Sequence, residues 1–260
     1  MARSMVVYVL LLGLVATGCA SGEHWYFSKE RQDHVWGYSG DIGPEHWGSL
    51  DPDYHLADDG REQSPIDIVT ADVDAGQLLP VEFRYSEVSP HWVNNGHTLQ
   101  HGADARSHII WSGRRYDLAQ YHLHTPSEHA IDGLHAPAEL HLVHKDSRGN
   151  VLVVGVLITA GDDGDGEAII ENAMALPHEA GEETDVPRPR NPQSMLPESR
   201  HYVHYRGSFT TPPCTESVDW IVLTEPIHFP EAAIREVELI LGRNNRPLQP
   251  LNGRKLWGSL

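Results

Sequence analysis

Cysteine and positive charge are both scarce in this chain. Two cysteines in 260 residues exclude a disulfide scaffold, and 23 Gly and 18 Pro are too few for a collagen-like sequence. There are 19 Lys and Arg against 37 Asp and Glu, and the net charge of −18 argues against binding to nucleic-acid phosphates. With 40% hydrophobic and 22% charged residues, the composition is that of a soluble globular protein, not of a disordered or coiled-coil chain.

The first residues have the pattern of a targeting segment. Arg3 precedes an almost wholly apolar stretch, residues 5–15, which is shorter than the roughly 20 residues of a membrane span. Residues 1–18 are therefore predicted to be a signal peptide, and residues 19–260 a single domain. Ala16-Thr17-Gly18-Cys19 resembles a bacterial lipoprotein processing box, which predicts lipidation of the cysteine and membrane anchoring. The alternative is an ordinary secretory signal, and both alternatives predict export to the periplasm or cell surface.

Strand patterns dominate the chain from about residue 80. Val81–Tyr85 alternates apolar and polar residues with the period of two of a half-buried strand. Val151–Thr159 is a nearly continuous β-branched run, which predicts a central strand covered on both faces. A helix is predicted over Glu231–Leu241, and a long ordered loop over the proline-rich residues 177–197. Further strands are predicted at Ser107–Trp111, Tyr116–His124, Ala138–Lys145 and Ser217–Thr224. The pattern indicates an α+β domain, mainly β, with a large, mostly antiparallel sheet flanked by short helices.

Three histidines on two predicted strands have the spacing of metal ligands. Alternate residues of a strand face the same side, so Gln120, His122 and His124 project together from one strand. Glu139 and His141 share a face of the second strand. If these strands are neighbours, three imidazoles converge, and three neutral histidines with one open position form a catalytic zinc site. Gln120 and Glu139, each two residues before a ligand, are candidate acceptors for the other ring nitrogens.

The same residues also match the first metal motif of the cupin barrels. In that interpretation Glu128 joins His122 and His124 as a ligand to iron or manganese. Cupins need a second motif with a Pro-x-Gly turn shortly before the last histidine, and His141 has no such turn. A cupin-like metalloenzyme is therefore the second hypothesis, which metal analysis would distinguish from the first.

Many separated motifs resemble those of one known family. They include Trp36-Gly37-Tyr38, Gln63-Ser64-Pro65-Ile66-Asp67, Asn94-Asn95-Gly96-His97, Ser127-Glu128-His129, Gly207-Ser208-Phe209-Thr210-Thr211-Pro212-Pro213 and Asn245-Arg246-Pro247. Together with the histidine motifs, and in this order over nearly all of residues 35–251, they resemble the α-class carbonic anhydrases of the exported bacterial type. The resemblance implies a central sheet of about ten largely antiparallel strands and reversible hydration of carbon dioxide to bicarbonate and a proton.

The zinc site of that family carries over residue by residue. The resemblance implies that His122, His124 and His141 hold Zn²⁺, and that Gln120 and Glu139 support their other ring nitrogens. These are the five residues that strand alternation also selects. The implied reaction is attack of zinc-bound hydroxide on carbon dioxide.

Four further residues match the family's hydroxide and proton machinery. Thr210 matches the threonine that orients the hydroxide, and Glu128 matches the buried glutamate to which that threonine donates. His97 matches the proton-shuttle histidine, because an imidazole can accept and release a proton near neutral pH. Tyr38 matches a tyrosine of the water network.

The implied substrate pocket has an apolar and a polar side. Val143, Val153, Phe209 and Trp220 match the apolar wall that receives carbon dioxide, and Thr211 matches a polar residue opposite. Phe209 stands where the family usually has leucine, and its larger ring is expected to slow turnover or to narrow inhibitor access. A third hypothesis is a non-catalytic binding module of the same family, but such domains usually lack a zinc histidine, and all three are present here.

The resemblance also bears on the cysteines and on assembly. Exported bacterial relatives often carry a cysteine near Ala57 that pairs with the one after Pro213. Because Ala57 cannot pair, Cys214 is expected to have lost its partner, and a Cys19–Cys214 disulfide is the competing alternative. Homodimers occur among exported relatives, so a homodimer is an alternative to a monomer here.

Overall fold

The computed structural model describes residues 35–76, 78–102, 106–161, 176–186 and 189–259. The predicted signal peptide and Cys19 lie outside these residues. Asp33–Leu260 forms one compact unit. Within the described ranges, no helix combines the length and the apolar character that crossing a bilayer requires.

Strands supply most of the regular structure in the described ranges. In chain order they are β1 Asp67–Ile68, β2 Val73–Asp74, β3 Glu82–Arg84, β4 His91–Asn94, β5 Leu99–Gly102, β6 His108–Trp111, β7 Arg114–His124, β8 Ala130–Ile131, β9 Leu134–His135, β10 Ala138–Lys145, β11 Val151–Ala160, β12 Glu183–Asp185, β13 Tyr202–Ser208, β14 Glu216–Phe229 and β15 Leu256–Gly258. The α-helices are α1 Trp47–Leu50, α2 Leu56–Asp59 and α3 Glu231–Leu241, and single 3₁₀ turns occur at Gly40–Ile42, Pro44–His46, Pro52–Tyr54, Thr70–Asp72 and Pro192–Met195.

One large sheet organises the domain. Ten of its strands follow the order β12-β4-β5-β7-β10-β11-β14-β13-β15-β2, and β3 and β6 form a ribbon attached to β7. The β11–β14 and β15–β2 pairs are parallel, whereas the other pairs in this sheet are antiparallel. Strands β1, β8 and β9 form a small separate sheet. This architecture confirms the predicted mainly β fold with about ten strands in a mostly antiparallel sheet.

The sheet separates two hydrophobic clusters, because successive side chains of each strand point to opposite faces. Leu140 and Leu142 of β10 lie fully buried in the larger cluster, together with Val154 of β11. Val143 and Val153 belong to the second cluster, on the other face. Strand β11 is buried along almost its whole length between β10 and β14, which confirms that it is a central strand.

Helix α3 has the predicted bounds. Ala233, Ile234 and Val237 form its buried face. The helix ends at Gly242, whose φ of 62° lies in the left-handed region and whose N–H donates to the carbonyl of Glu238 at 2.8 Å. Glycine adopts this conformation without the steric cost of a Cβ atom.

The predicted loop over residues 177–197 is not wholly irregular. Within it, β12 pairs with β4 and so extends the sheet, and the prediction of a loop there was wrong for Glu183–Asp185. Acidic residues have low strand propensity, so the local pattern gave no signal. The backbone of β4 supplies the reason, since an open edge offers N–H and C=O groups to any extended segment beside it.

Candidate metal centre

Strands β7 and β10 are direct neighbours, and their register brings the three histidines together. His122 lies opposite His141, and His124 lies opposite Glu139. The ring centroid of His122 is 5.0 Å from that of His124 and 5.2 Å from that of His141, and the centroids of His124 and His141 are 4.7 Å apart. One nitrogen from each ring lies within 4.8 Å of the other two, which is close enough for a shared metal ion.

Each of these imidazoles has one ring nitrogen bound to an acceptor. The three bonds run from His122 Nδ1 to Gln120 Oε1 (2.7 Å), from His124 Nδ1 to the carbonyl of Asn244 (2.7 Å) and from His141 Nε2 to Glu139 Oε1 (3.0 Å). An acceptor on one nitrogen places the hydrogen there and leaves the lone pair on the other. The nitrogens left to face one another are therefore Nε2 of the first two rings and Nδ1 of the third.

This donor set fits zinc. His124 Nε2 is buried, yet it has no hydrogen-bond partner in the described part of the chain. Burial lowers the pKa of His124 to about 4 and holds the pKa of His122 well below its ordinary value, with the neighbouring imidazoles adding to the latter shift. Burial also lowers the pKa of His141, although the carboxylate of Glu139 opposes that shift. All three rings are thus neutral at pH 7, which is the form that binds a metal.

Glu128 and Thr210 lie beside the three rings. The Glu128 carboxylate is fully buried, and its Oε2 is 3.7 Å from His124 Nε2 and 3.9 Å from His141 Nδ1. Its Oε1 accepts the backbone N–H of Arg246 at 2.9 Å. Burial raises the pKa of Glu128 to about 7, while His141, that N–H and a hydrogen bond from the Thr210 side chain each lower it. Thr210 is itself buried, beside Glu128.

Both carboxylate oxygens of Glu139 accept hydrogen bonds. Its Oε1 accepts from His141 Nε2 at 3.0 Å and from His129 Nδ1 at 2.7 Å. Its Oε2 accepts the backbone N–H groups of Glu128 at 2.9 Å and of His129 at 2.8 Å. Burial alone would raise the pKa of Glu139, but the two histidines hold it well below its ordinary value. His129 is a residue that the sequence analysis quoted within a motif without giving it a role.

Asn244 is a second residue that the sequence analysis missed. Its carbonyl accepts from His124, and its side-chain Oδ1 accepts the N–H of Thr125 at 2.7 Å. Its Nδ2 donates to the carbonyls of His97 at 3.0 Å and of Leu123 at 3.1 Å. One asparagine thus ties the metal-site strand to the turn that carries His97. A main-chain acceptor leaves no signature in a sequence, so only the neighbouring Asn245-Arg246-Pro247 motif pointed to this segment.

His97 and Tyr38 lie among aromatic side chains. The His97 ring stacks on Trp36, with centroids 3.7 Å apart and planes 6° from parallel. The turn below it is held by Asn95, whose Oδ1 accepts the N–H of His97 at 2.9 Å. The hydroxyl of Tyr38 is buried without a hydrogen-bond partner in the described ranges, and burial, with the nearby charge of Glu128, raises its pKa well above the ordinary value.

The predicted apolar residues form one surface beside the metal centre. Val143 lies opposite Val153 across β10 and β11, and Val153 lies opposite Trp220 across β11 and β14. Half-buried Phe209 packs against the same cluster. Trp220 is fixed by donating its Nε1–H to the carbonyl of Ser208 at 3.0 Å. Half-buried Thr211 accepts the N–H of Cys214 through its carbonyl at 2.9 Å.

Among the described residues Cys214 is a free thiol with no exposed surface. The alternative of a Cys19–Cys214 disulfide involves a residue outside the described ranges and stays a prediction. Burial raises its pKa to about 11. Because the thiolate is the reactive form, a buried thiol with a raised pKa is protected from oxidation.

Comparisons with known proteins agree on one family. Residues 42–260 match the family model described as eukaryotic-type carbonic anhydrase. The carbonic anhydrase of Nostoc sp. (strain PCC 7120) is 38% identical over 224 residues, which cover 84% of each chain. Carbonic anhydrase 7 of Homo sapiens is 35% identical and covers 87% of this chain and 97% of its own. A structure of the α-carbonic anhydrase from Thermovibrio ammonificans, in complex with the inhibitor sulfanilamide, superposes with a TM-score of 0.83 at 42% identity over 86% of this chain and 99% of that one.

Proposed function

This chain belongs to the eukaryotic-type, or α-class, carbonic anhydrases, which hydrate carbon dioxide, and on that basis we propose that it does so with a zinc ion held by His122, His124 and His141. The observation that carries the proposal is the convergence of three neutral imidazoles, two buried and that of His122 half-buried, each with its other nitrogen hydrogen-bonded. Zinc bound there would supply a hydroxide nucleophile near neutral pH, as it does in carbonic anhydrases generally. Membership of this family also removes the cupin-like alternative.

Thr210 is proposed to orient the nucleophile. A hydroxyl has one hydrogen to donate, and we propose that Thr210 directs it at the neighbouring Glu128 carboxylate. The Thr210 oxygen can then only accept, so a hydroxide in the pocket points its hydrogen at Thr210 and its lone pairs elsewhere. The substrate, which is small and uncharged, needs no ionic partner, and the Val143–Val153–Trp220 surface offers it an apolar place beside the nucleophile.

His97 is proposed to carry the proton that hydration releases. The ring is half-buried, so it contacts both the protein interior and solvent. Stacking on Trp36 and the hydrogen bond from Asn244 to its carbonyl place it relative to the metal site. An imidazole can both accept and release a proton near neutral pH.

Stopped-flow hydration of carbon dioxide tests the proposed function. The purified protein is assayed with one equivalent of zinc, after chelation, and with sulfanilamide, which is bound by the relative from Thermovibrio ammonificans. We expect fast hydration that both treatments abolish. Zinc bound without hydration would favour the non-catalytic binding module, and a protein that binds no zinc would contradict the three-histidine site.

Replacing His97 with alanine is expected to lower kcat at low buffer concentration by about 100-fold, the lower end of general acid–base effects. The value of kcat/KM should stay nearly unchanged, since the proton leaves after the chemical step. Added imidazole should restore kcat. The matched control is His55→Ala, because the His55 side chain is 59% exposed and contacts only Asp59 among carboxylates of the described chain. A kcat of the variant that does not depend on buffer would contradict the shuttle role.

Replacing Phe209 with leucine is expected to raise kcat/KM about threefold to tenfold, which corresponds to about 0.7–1.4 kcal/mol. The ring packs against the surface that receives the substrate, and a leucine occupies less of that space. Zinc content should stay the same, which separates a pocket effect from a metal effect. An unchanged kcat/KM would show that Phe209 does not limit access.

Export remains a proposal that rests on residues 1–19. We propose cleavage after Gly18 and lipidation of Cys19, with anchoring at the periplasmic or outer cell surface. The homodimer likewise stays a prediction.

A further inference from the structure

A buried chain of hydrogen bonds continues behind Glu139, away from the metal site. Nε2 of His129 and the hydroxyl of Tyr205 form a hydrogen bond of 2.6 Å. That hydroxyl is 2.9 Å from Ser64 Oγ, which also accepts the N–H of Ser208 at 3.1 Å. Every residue in this hydrogen-bond network is at most 1% exposed. The support of His141 therefore extends over three further side chains, those of His129, Tyr205 and Ser64, and none of them can relax into water.

Two glycines of the central sheet lie next to the side chains of this hydrogen-bond network. Gly155 of β11 lies directly opposite His141 of β10, and a Cβ atom built on it would lie 2.8 Å from Glu139 Oε1. A Cβ atom on Gly207 of β13 would overlap Ser64 Oγ and lie 2.8 Å from the Tyr205 ring. Neither glycine has a positive φ, so their backbone conformations are open to any residue. Glycine is required at both positions because neighbouring atoms already occupy the space that a side chain would need.

We propose that Gly155 and Gly207 are positioning residues of the metal site, because their missing side chains leave the space in which Glu139 and Ser64 hold His141 in place. The inference rests on the proposed function, in which His141 is a metal ligand. It concerns two residues with no polar side chain and no contact with substrate, and it assigns them an effect on metal retention.

An alanine at 155 cannot be accommodated by a small side-chain movement. The Glu139 carboxylate accepts four hydrogen bonds and has no exposed surface, so its tip has no free space to enter. Either the carboxylate leaves His141 and His129, or β11 moves away from β10. Since the first alternative breaks only side-chain bonds, we expect it to occur. His141 then loses the acceptor that fixes its ring, and losing such a partner typically weakens metal affinity by about 10–100-fold.

The test compares zinc release from the full-length protein and its Gly155→Ala variant into excess chelator. We expect release about 10–100-fold faster from the variant. The second measurement uses zinc-free protein, where the proton on His129 Nδ1 that is bonded to Glu139 should give a downfield ¹H NMR signal in the wild type and lose it in the variant. Gly102→Ala is the matched control, because a Cβ there meets no atom of the described residues within 4 Å, and it should change neither readout.

A double variant shows whether Gly155 acts through Glu139. Glu139→Ala makes room for a methyl group at 155, so Gly155→Ala should change zinc release by no more than about twofold in that background. An equal acceleration in both backgrounds would overturn the inference. If Gly155→Ala alone fails to fold, the same comparison applies to folding: a double variant as stable as Glu139→Ala supports the inference, and a double variant that also fails to fold overturns it.

The inference and the proposed function can fail separately. A wild-type protein that binds no zinc defeats the proposed function, whereas the NMR signal of the zinc-free protein still reports whether residue 155 places Glu139. A wild type that binds zinc and a Gly155→Ala variant with the same release rate and the same signal defeat the inference alone.

Discussion

Replacing His141 with alanine is expected to abolish zinc retention and carbon dioxide hydration together. The site then offers two imidazoles from β7 and none from β10, whereas a catalytic zinc site uses three protein ligands. The loss of zinc affinity should exceed the roughly 10–100-fold that changes in outer hydrogen-bond partners cause. Zinc per protein after dialysis and stopped-flow hydration measure the two effects on the same sample.

The matched control is another buried histidine on the same strand. His144 lies three residues further along β10, has no exposed surface, and bonds through Nε2 to the hydroxyl of Tyr85 at 2.9 Å. Its replacement by alanine should cost stability but leave zinc bound. Full hydration by the His141→Ala variant, or equal zinc loss from both variants, would show that the three-histidine assignment is wrong.

Replacing Arg246 with methionine is expected to lower the free energy of unfolding by about 1–3 kcal/mol, because it leaves buried acceptors unsatisfied. The arginine is 1% exposed, and its Nη1 donates to Gln63 Oε1 and to the carbonyl of Ser64, both at 2.8 Å. Its Nη2 donates to the carbonyl of Ala57 at 3.1 Å, and the guanidinium lies over the ring of Trp47. Methionine has a similar length but cannot donate, so three acceptors that are mostly out of reach of water lose their partner.

Urea unfolding at pH 7 measures this change. Arg148→Met serves as the control, because Arg148 lies on an exposed turn, and its effect should remain within about 0.5 kcal/mol. A loss below about 1 kcal/mol for the Arg246 variant would mean that the segments it joins are held by other contacts. The result also bears on Glu128, since the backbone N–H of the same residue binds that carboxylate.

Local sequence patterns predicted those parts of the fold and site that depend on alternation along one strand. The β-branched run Val151–Thr159 identified the buried central strand, and helix α3 has the predicted bounds because its apolar spacing and flanking residues act locally. The hydrogen bond between Gln120 and His122 follows from the same alternation, because residues two apart on a strand face the same side. Alternation within each strand could not establish that β7 and β10 are neighbours. The resemblance to a family indicated that they are.

The remaining parts depend on groups that a sequence does not mark. The acceptor for His124 is the carbonyl of Asn244, and every residue has a carbonyl. The space beside Glu139 depends on Gly155, which in the sequence interrupts a strand pattern without indicating why. Strand β12 forms because the edge of β4 is available, and its own residues have little strand propensity.

The parallel pairing of β11 with β14 also has a consequence for how the protein reaches its native state. Residues 161–215 separate the two strands, so their pairing requires closure of a long loop before any contact between them stabilises the chain. Val153 and Trp220 meet only through that pairing, whereas β7 and β10 are closer in sequence. Folding dominated by such distant contacts is slow. A newly made chain should therefore pair β7 with β10, and so bring its three histidines together, before β11 and β14 close the Val153–Trp220 surface beside them.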